Sequence, residues 1–417
     1  MTTYSVLTFG CRVNQADSLR IEEDLRRRGV LPASPSEADI VIVNTCSVTA
    51  TADQGARQTI RRIARDNPAA RIVVTGCYAT RSPQEVAALP NVLRVIPNDR
   101  KDWLFETTAE RFGEGEGACG ATVEPGVAGR TVFTLRVQTG CEERCSYCII
   151  PTTRGAGRSI PVADVLREVG RIAAAGFKEI VLTGVHLGSY GRDLSPQQSL
   201  VTLLRALNDL DEDVAFRISS LEPMDCSREI VELVSESGGR FAPHFHLPLQ
   251  HASDRMLQLM RRPYTCGYFR ALVELILERL PHASIGTDLI AGFPGESDDD
   301  FAADLEYLPN SALSHVHVFP YSDRPGTAAT AMTGKVPGPI IRDRAARLRA
   351  IGAALSQRFR DSQIGSIRPG LTVDDGTVVV TDNFLKVRIP PGLLRNTRVD
   401  VQVLADDGAI VGVHDRG

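Results

Sequence analysis

No stretch of the 417-residue sequence is apolar over the length needed to cross a bilayer, and the opening MTTYSVLTFG has no basic flank leading into a long apolar run. Neither a membrane partner nor export is therefore expected. A disulfide framework is missing as well. The nine cysteines are an odd number and mostly stand at spacings that suit clusters, which points to a reducing, cytoplasmic setting. Net charge is small, formally −4, so any nucleic-acid contact has to rest on local patches rather than on the field of the whole molecule. The length is enough for two or three separate cores.

What is present is a tight cysteine triplet. Cys141, Cys145 and Cys148 stand in GCEERCSYCII, with Tyr147 directly before the last thiol. Three thiolates this close can hold three corners of one iron–sulfur cube but not the fourth, so one iron stays open. An open iron can be chelated by the amino and carboxylate groups of S-adenosylmethionine, placing its sulfonium for one-electron cleavage to a carbon radical. A structural zinc site is the alternative. It needs four ligands, usually from paired short spacings, and no second pair follows the triplet.

Three further cysteines share one local grammar. The strand-like YSVLTF leads to Gly10-Cys11 and a helix to Arg28, with Asn14 placed to cap it and Gly29 to end it; DIVIVN leads to Thr45-Cys46 and a helix from about Thr51 to Asp66; RIVVT leads to Gly76-Cys77 and a helix after Ser82. Each βα unit puts its cysteine just past the carboxyl end of a strand, the edge where parallel sheets bind ligands. Cys11, Cys46 and Cys77 are thus candidate ligands of a second three-cysteine cluster, against the plainer reading of three small buried thiols. Cys119, Cys226 and Cys266 fit no ligand pattern and read as packing or loop thiols.

The rest of the chain divides by composition. Residues 1–112 form the N-terminal α/β domain, and 113–129 are a glycine-rich linker. Residues 130–335 alternate strand and helix six times, which suggests an incomplete parallel (βα)6 barrel. A connecting helix follows at 336–365, from about Ile340 to Ile364. Residues 366–417 hold short alternating segments, TVVVT, NFLKVRI, RVDVQVL and AIVGV, that read as a small antiparallel barrel, with no first strand evident around Ile367 to Val373. Ligand contacts in a parallel barrel gather at the carboxyl ends of its strands, which here carry Ser219, Glu222, Gln250, Asp288, Gly292 and Gly295. Arg154 and Arg158 in TRGAGRS are candidates to pair a carboxylate near the cluster. Arg57, Arg61 and Arg65, with Arg62 beside them, form a basic helix stripe, and Lys386 with Arg388 share one strand face. Either surface is a candidate RNA contact, and the helix stripe is equally a solvated charged face.

The triplet loop resembles the signature of the radical S-adenosylmethionine superfamily. Its extension CIIPTTRGAGRS, the strings TFGCRVNQADS, NTCSVTATAD and TGCYA, and the run HVFPYSDRPGTAA resemble the methylthiotransferase branch. TDNFLKVRIP is similar to the TRAM-like RNA-binding module that ends many RNA-modifying enzymes. The resemblance covers nearly the whole chain. It implies two 4Fe-4S clusters, S-adenosyl-L-methionine bound with help from Tyr147, Thr183 and Gly184, a tRNA substrate, an external electron donor and a sulfur source. Arg12-Val13 resembles the branch acting on threonylcarbamoyladenosine at position 37, next to the anticodon. The other branches act on isopentenyladenosine or on an aspartate of a ribosomal protein. The implied reaction spends one S-adenosylmethionine on methylating cluster-held sulfur and another on a radical that abstracts hydrogen from carbon 2 of the adenine. Two rivals stay open: a non-catalytic Fe-S RNA-binding protein, and a radical enzyme whose second cluster only transfers electrons.

Overall fold

The structure is a computed structural model that describes residues 2–47, 49–103, 123–126, 130–404 and 409–412. Cys119 and most of the expected linker lie outside the described residues. The chain packs as two compact units. One comprises Met1–Val123, Thr139–Gly157 and Ser322–Thr327, and the other Glu124–Gln138, Arg158–Tyr321 and Ala328–Gly417. The Cys141–Cys148 loop therefore belongs to the unit of the N-terminal sheet.

The first unit is built on a parallel sheet. Its elements are β1 (Thr3–Thr8), α1 (Arg12–Arg27), β2 (Leu31–Pro32), β3 (Ile40–Thr45), α2 (Ala50–Asp66), β4 (Arg71–Gly76), α3 (Cys77–Arg81), α4 (Pro83–Ala87) and β5 (Val92–Ile96), in the spatial order β2-β1-β3-β4-β5. Central β3 is buried on both faces, which is why IVIV reads as a continuous apolar run rather than an alternating one. Successive side chains feed opposite cores: Val41 and Val43 pack with Ala56, Ile60 and Ile63 of α2, while Ile40 and Ile42 pack with Ile21 and Leu25 of α1. Helix α1 differs from the sequence reading at its start. Cys11 is the N-cap, and Asn14 sits fully buried in the first turn, its amide donating to the carbonyls of Phe9 and Thr45 at 2.8 Å each. Asn14 thus ties two loops together instead of capping. Thr49 caps α2 by accepting from the Ala52 amide.

The second unit begins with β6 (Phe133–Arg136). The two-residue strands β7 (Gln138–Thr139) and β8 (Arg158–Ser159) bracket the excursion that carries α5 (Ile150–Arg154) into the first unit. Alternation then follows through α6 (Val162–Ala174), β9 (Glu179–Thr183), α7 (Leu200–Asn208), β10 (Ala215–Ile218), α8 (Arg228–Glu236), β11 (His244–His246), α9 (Asp254–Leu259), α10 (Cys266–Arg279), β12 (Ser284–Ala291), α11 (Asp298–Asn310) and β13 (His315–Pro320). The strands form two parallel triplets, β6-β9-β10 and β11-β12-β13, joined by isolated parallel pairings of Phe216 with Phe241 and Ser220 with His246. Serine or threonine caps open α7, α8, α9, α10 and α11, each side chain accepting a first-turn amide. None of the described helices is long and apolar enough to cross a membrane.

Helix α12 (Gly338–Gln363) leads into an antiparallel sheet of β14 (Ile367–Val373), β15 (Val378–Thr381), β16 (Lys386–Arg388), β17 (Arg398–Val403) and β18 (Ala409–Gly412), ordered β16-β15-β14-β17-β18. A strand does occupy Ile367 to Val373, and it is the central one. Pro369 and Gly370 hide it in the sequence, yet a β-carbon on Gly370 would lie 2.5 Å from Val379, so close strand packing requires the glycine. Arg217 of β10 fastens this sheet to the parallel strands. Almost fully buried, it donates to the Asp382 carbonyl at 2.8 Å and the Thr381 carbonyl at 3.3 Å, and pairs with Glu179 at 3.0 Å. Arg217→Ala would strand Glu179 and two carbonyls, at a cost of about 3–5 kcal/mol. Denaturant unfolding should show a loss of that size; a loss below about 1 kcal/mol would mean that Arg217 is not the fastening.

Candidate cluster and cofactor sites

Strands β1, β3 and β4 end at one edge of the sheet, and a cysteine follows each almost at once. Cys11 caps α1, Cys46 leaves β3, and Cys77 opens α3. Two glycines allow the approach. A β-carbon on Gly10 (φ +89°) would fall 2.3 Å from Cys46 Sγ, and one on Gly76 (φ +98°) 2.1 Å from the Thr45 carbonyl oxygen. Backbone conformation and space both reserve these positions for glycine. Cys46 and Cys77 are buried, whereas Cys11 is exposed.

A buried ionic group lies against this trio. Asp17 of α1 accepts from Lys101 Nζ at 2.8 Å and from Arg154 Nη2 at 3.1 Å, all three side chains being almost without solvent contact. Lys101 also donates to Asn44 Oδ1 at 3.0 Å, and Arg154 to Asn14 Oδ1 at 2.5 Å and Thr139 Oγ1 at 3.2 Å. Asn98 donates to the Thr153 carbonyl at 2.9 Å and to Cys77 Sγ at 3.6 Å. Burial lowers the pKa of Lys101 against the pull of Asp17. Burial also opposes the charge on Arg154, but Asp17 and the neighbouring Cys77 and Cys11 side chains outweigh it and raise its pKa. Arg154 Nε and Asn98 Oδ1 have no hydrogen-bond partner among the described residues. Three thiols, a spare buried donor and a surplus of buried positive charge fit an anionic iron–sulfur cluster with one open ligand position.

The second triplet is shaped by its own turn. A β-carbon on Gly140 (φ +76°) would lie 1.9 Å from the Ala156 carbonyl oxygen, and the Cys141 amide donates to the Gly155 carbonyl at 3.0 Å. The Cys148 amide donates to the Cys145 carbonyl at 3.2 Å, and the Glu143 amide to Cys141 Sγ at 3.4 Å. All three thiols and Tyr147 are half-buried, so the loop keeps a solvent-facing side for a further ligand. Helix α5 begins directly after this loop and packs on α3, whose first residue is Cys77. Both cysteine trios are thereby held in one compact unit.

In the second unit the sequence candidates gather at strand ends. Ser219 Oγ donates to Thr183 Oγ1 at 3.2 Å, and Gly184 faces Gln138 and Leu187 at a distance that leaves no room for a β-carbon. Glu222 pairs with Arg262. Gln250 adopts φ +72°, with its amide donating to the Asp288 carbonyl at 2.8 Å and its carbonyl accepting from Ile290 at 2.9 Å. A glutamine in the left-handed region is strained. Gly292 (φ +78°) donates to Glu296 Oε2 at 2.5 Å, and Gly295 to the Gly334 carbonyl at 2.8 Å. Arg158 lies exposed on β8.

Asp288 sits in a group that the sequence reading missed. Its Oδ1 is 3.1 Å from His246 Nε2 and 3.4 Å from His317 Nδ1, and Ser220 Oγ is 2.9 Å from His246 Nδ1. Burial works against the Asp288 carboxylate, but the two histidines bring its pKa down to about 2. The ring of His315 lies 5.4 Å from that of His317, in space that a β-carbon on Gly286 would close. The signal was in the sequence as the His-x-His pairs of HFH and HVH, which period two places on one strand face. Asp17 and Lys101 were missed too, because an acid on the inward face of α1 and a lysine in the turn after β5 gain meaning only in contact.

The two candidate RNA surfaces differ. Arg57 is spent on Tyr78 Oη and Glu85 at 3.1 Å each, and Arg65 pairs with Asp66 at 2.9 Å, whereas Arg61 and Arg62 are exposed with no ion pair among the described residues. Lys386 and Arg388 both point outward from β16, an edge strand. Cys226 and Cys266 are unlike the two trios, burial pushing their thiols up to about 12 and about 11.

Residues 3–96 match the Uncharacterized protein family UPF0004, and residues 135–308 match the Radical SAM superfamily. The chain is 36% identical to the threonylcarbamoyladenosine tRNA methylthiotransferase MtaB of Aquifex aeolicus, over 91% of its own length and 95% of the relative's. It is 31% identical to the tRNA-2-methylthio-N(6)-dimethylallyladenosine synthase of Corynebacterium jeikeium, covering 90% and 77%. Among solved structures, the radical S-adenosylmethionine methyltransferase TsrM of Kitasatospora setae, with cobalamin and a 4Fe-4S cluster bound, superposes with a TM-score of 0.56 at 17% identity, covering 79% of this chain and 77% of that one. That likeness shows a shared fold.

The histidine group generates a pH prediction. Burial first, and then the neighbouring His246 and His317, lower the pKa of His315 from 6.5 to about 4. As pH falls through that window the unfolded chain takes up the proton first, so His315 subtracts stability progressively between the two values. Wild-type Tm should therefore fall relative to that of His315→Gln over this range. Parallel Tm profiles for the two proteins would mean that His315 is not held neutral.

Proposed function

Since the chain belongs to the radical S-adenosylmethionine methylthiotransferase family, we propose that it attaches a methylthio group to carbon 2 of threonylcarbamoyladenosine at position 37 of tRNA. The observation that carries the reading is the pair of cysteine trios, Cys11, Cys46 and Cys77 with Cys141, Cys145 and Cys148, folded into one compact unit. The choice of modified base is supported by the higher identity and fuller coverage against the relative named for threonylcarbamoyladenosine than against the dimethylallyladenosine one.

When bound, two 4Fe-4S clusters and S-adenosyl-L-methionine supply one-electron cleavage and sulfur for transfer. An unactivated aromatic C–H bond is too weakly acidic for a side-chain base, which is why no His or Glu is assigned to remove this hydrogen. The protein's own groups hold and orient. Cys141, Cys145 and Cys148 would ligate the cleaving cluster, and Cys11, Cys46 and Cys77 the sulfur-carrying one. Arg158, Thr183, Gly184, Ser219, Glu222, Gln250, Asp288 and Gly292, on the incomplete barrel made by the parallel strands of the second unit, are proposed S-adenosylmethionine contacts, as is Tyr147, which belongs to the first unit. Arg154 moves in this reading from cofactor contact to partner of Asp17 beside the Cys77 thiol. The C-terminal sheet is read as a TRAM-like RNA-binding module with Lys386 and Arg388 on its outer face, and the enzyme as cytoplasmic, drawing on an external electron donor and a sulfur source.

Anaerobically reconstituted protein should hold about eight irons, and Cys46→Ala about half of them. Cys145→Ala should abolish S-adenosylmethionine cleavage, whereas Cys77→Ala should keep cleavage and lose methylthio transfer. Equal loss of cleavage in both, with folding intact, would sink the division of labour between the trios. For the RNA face, Arg61→Gln with Arg62→Gln should flatten the log–log salt dependence of tRNA binding by up to about two, one for each lost phosphate contact. An unchanged slope would remove α2 from the interface.

A further inference from the structure

We propose that Arg154 and Asn98 are positioning residues that set the reduction potential of the cluster at Cys11, Cys46 and Cys77. The inference rests on the reading of those three thiols as cluster ligands. Among the described residues Lys101 and Arg154 share a single carboxylate, Asp17, which leaves one positive charge over among side chains almost without solvent contact. Asp17 is the one carboxylate that Arg154 pairs with among the described residues. A surplus cation in a dry interior is strongly unfavourable unless a counter-charge stands beside it. An oxidised four-iron core on three thiolates carries about one net negative charge, and one more when reduced. The leftover guanidinium therefore balances the oxidised cluster and favours the reduced one more strongly.

Asn98 acts in the same direction over a shorter range. Its amide donates to Cys77 Sγ at 3.6 Å, and a hydrogen bond to a ligating sulfur withdraws electron density from the cluster. Its second donation, to the Thr153 carbonyl at 2.9 Å, fixes the amide's orientation, and Thr153 precedes Arg154 on α5. Arg154 in turn reaches Asn14, whose own amide holds the carbonyls of Phe9 and Thr45, the ends of the strands that deliver Cys11 and Cys46. Charge, hydrogen bond and loop anchor are thus one connected group. The helix that follows the Cys141–Cys148 loop carries its cation, so the chain that holds one candidate cluster tunes the other.

The test uses full-length protein with Cys141, Cys145 and Cys148 all replaced by Ala, so that one candidate cluster site remains. Iron and sulfide are counted, and the midpoint potential is followed by EPR during a redox titration. Arg154→Gln in this background should keep about four irons and shift the midpoint to a more negative value, and Arg154→Lys should restore most of the shift. An unchanged midpoint with iron retained would overturn the proposal. If Arg154→Gln loses its iron, Asn98→Ala decides: a negative shift sustains the proposal and an unchanged midpoint rejects it. Absence of any four-iron signal in the parent variant would be a separate failure, of the ligand assignment itself.

Discussion

Residues 10 and 76 carry no β-carbon, and on that close approach the first unit depends. At Gly10 the chain passes so near Cys46 that any side chain would collide with its sulfur, and at Gly76 it passes as near to the backbone of Thr45. The loops after β1 and β4 are brought in this way onto the end of β3, the strand most completely buried in the sheet. A rigid, doubly covered strand would be a firm base for the proposed cluster site, whose three thiols would have to keep one geometry while the cluster changed charge. Asn14 locks the arrangement with two carbonyl contacts that a cap residue at the helix start would not reach.

Charge completes what close packing begins. Polar residues crowd the inward face of α1, where Asn14, Asp17 and Ser18 are all buried, although an apolar stripe would be the ordinary choice for a helix on a sheet. Burying Asp17 with two cations is unfavourable taken alone, and it becomes intelligible once an anionic group stands at Cys11 and Cys77. In the second unit a similar economy of space appears at Gly286, where the missing side chain admits the ring of His315 among its neighbours.

The positions of the cysteines at strand ends were legible because the βα grammar repeats three times with the same residue at the same place, and hydrophobic runs locate parallel strands well. The alternation of strand and helix through the second unit was legible for the same reason. Contacts between residues far apart in the chain were not. Asp17 meets Lys101 and Arg154 across 84 and 137 positions, and nothing in local spacing announces it. The central strand at Ile367 to Val373 was hidden because Pro369 and Gly370 argue locally for a turn, while the room they leave for Val379 is visible only in three dimensions. The basic stripe on α2 was legible as a pattern, but sequence could not tell that Glu85 and Asp66 already engage two of its arginines.

Carbon 2 of threonylcarbamoyladenosine is a target that the clusters alone do not single out, since the same chemistry serves a dimethylallyl base in a relative of the same family. Selection would have to come from polar groups left unpaired by a base without the threonylcarbamoyl substituent. The most direct measurement is mass spectrometry of tRNA nucleosides from cells with and without this protein. Loss of methylthio-threonylcarbamoyladenosine with accumulation of threonylcarbamoyladenosine is the result expected. Loss of the methylthio group from the isopentenyl nucleoside instead would contradict the substrate, and no change in either nucleoside would contradict the function.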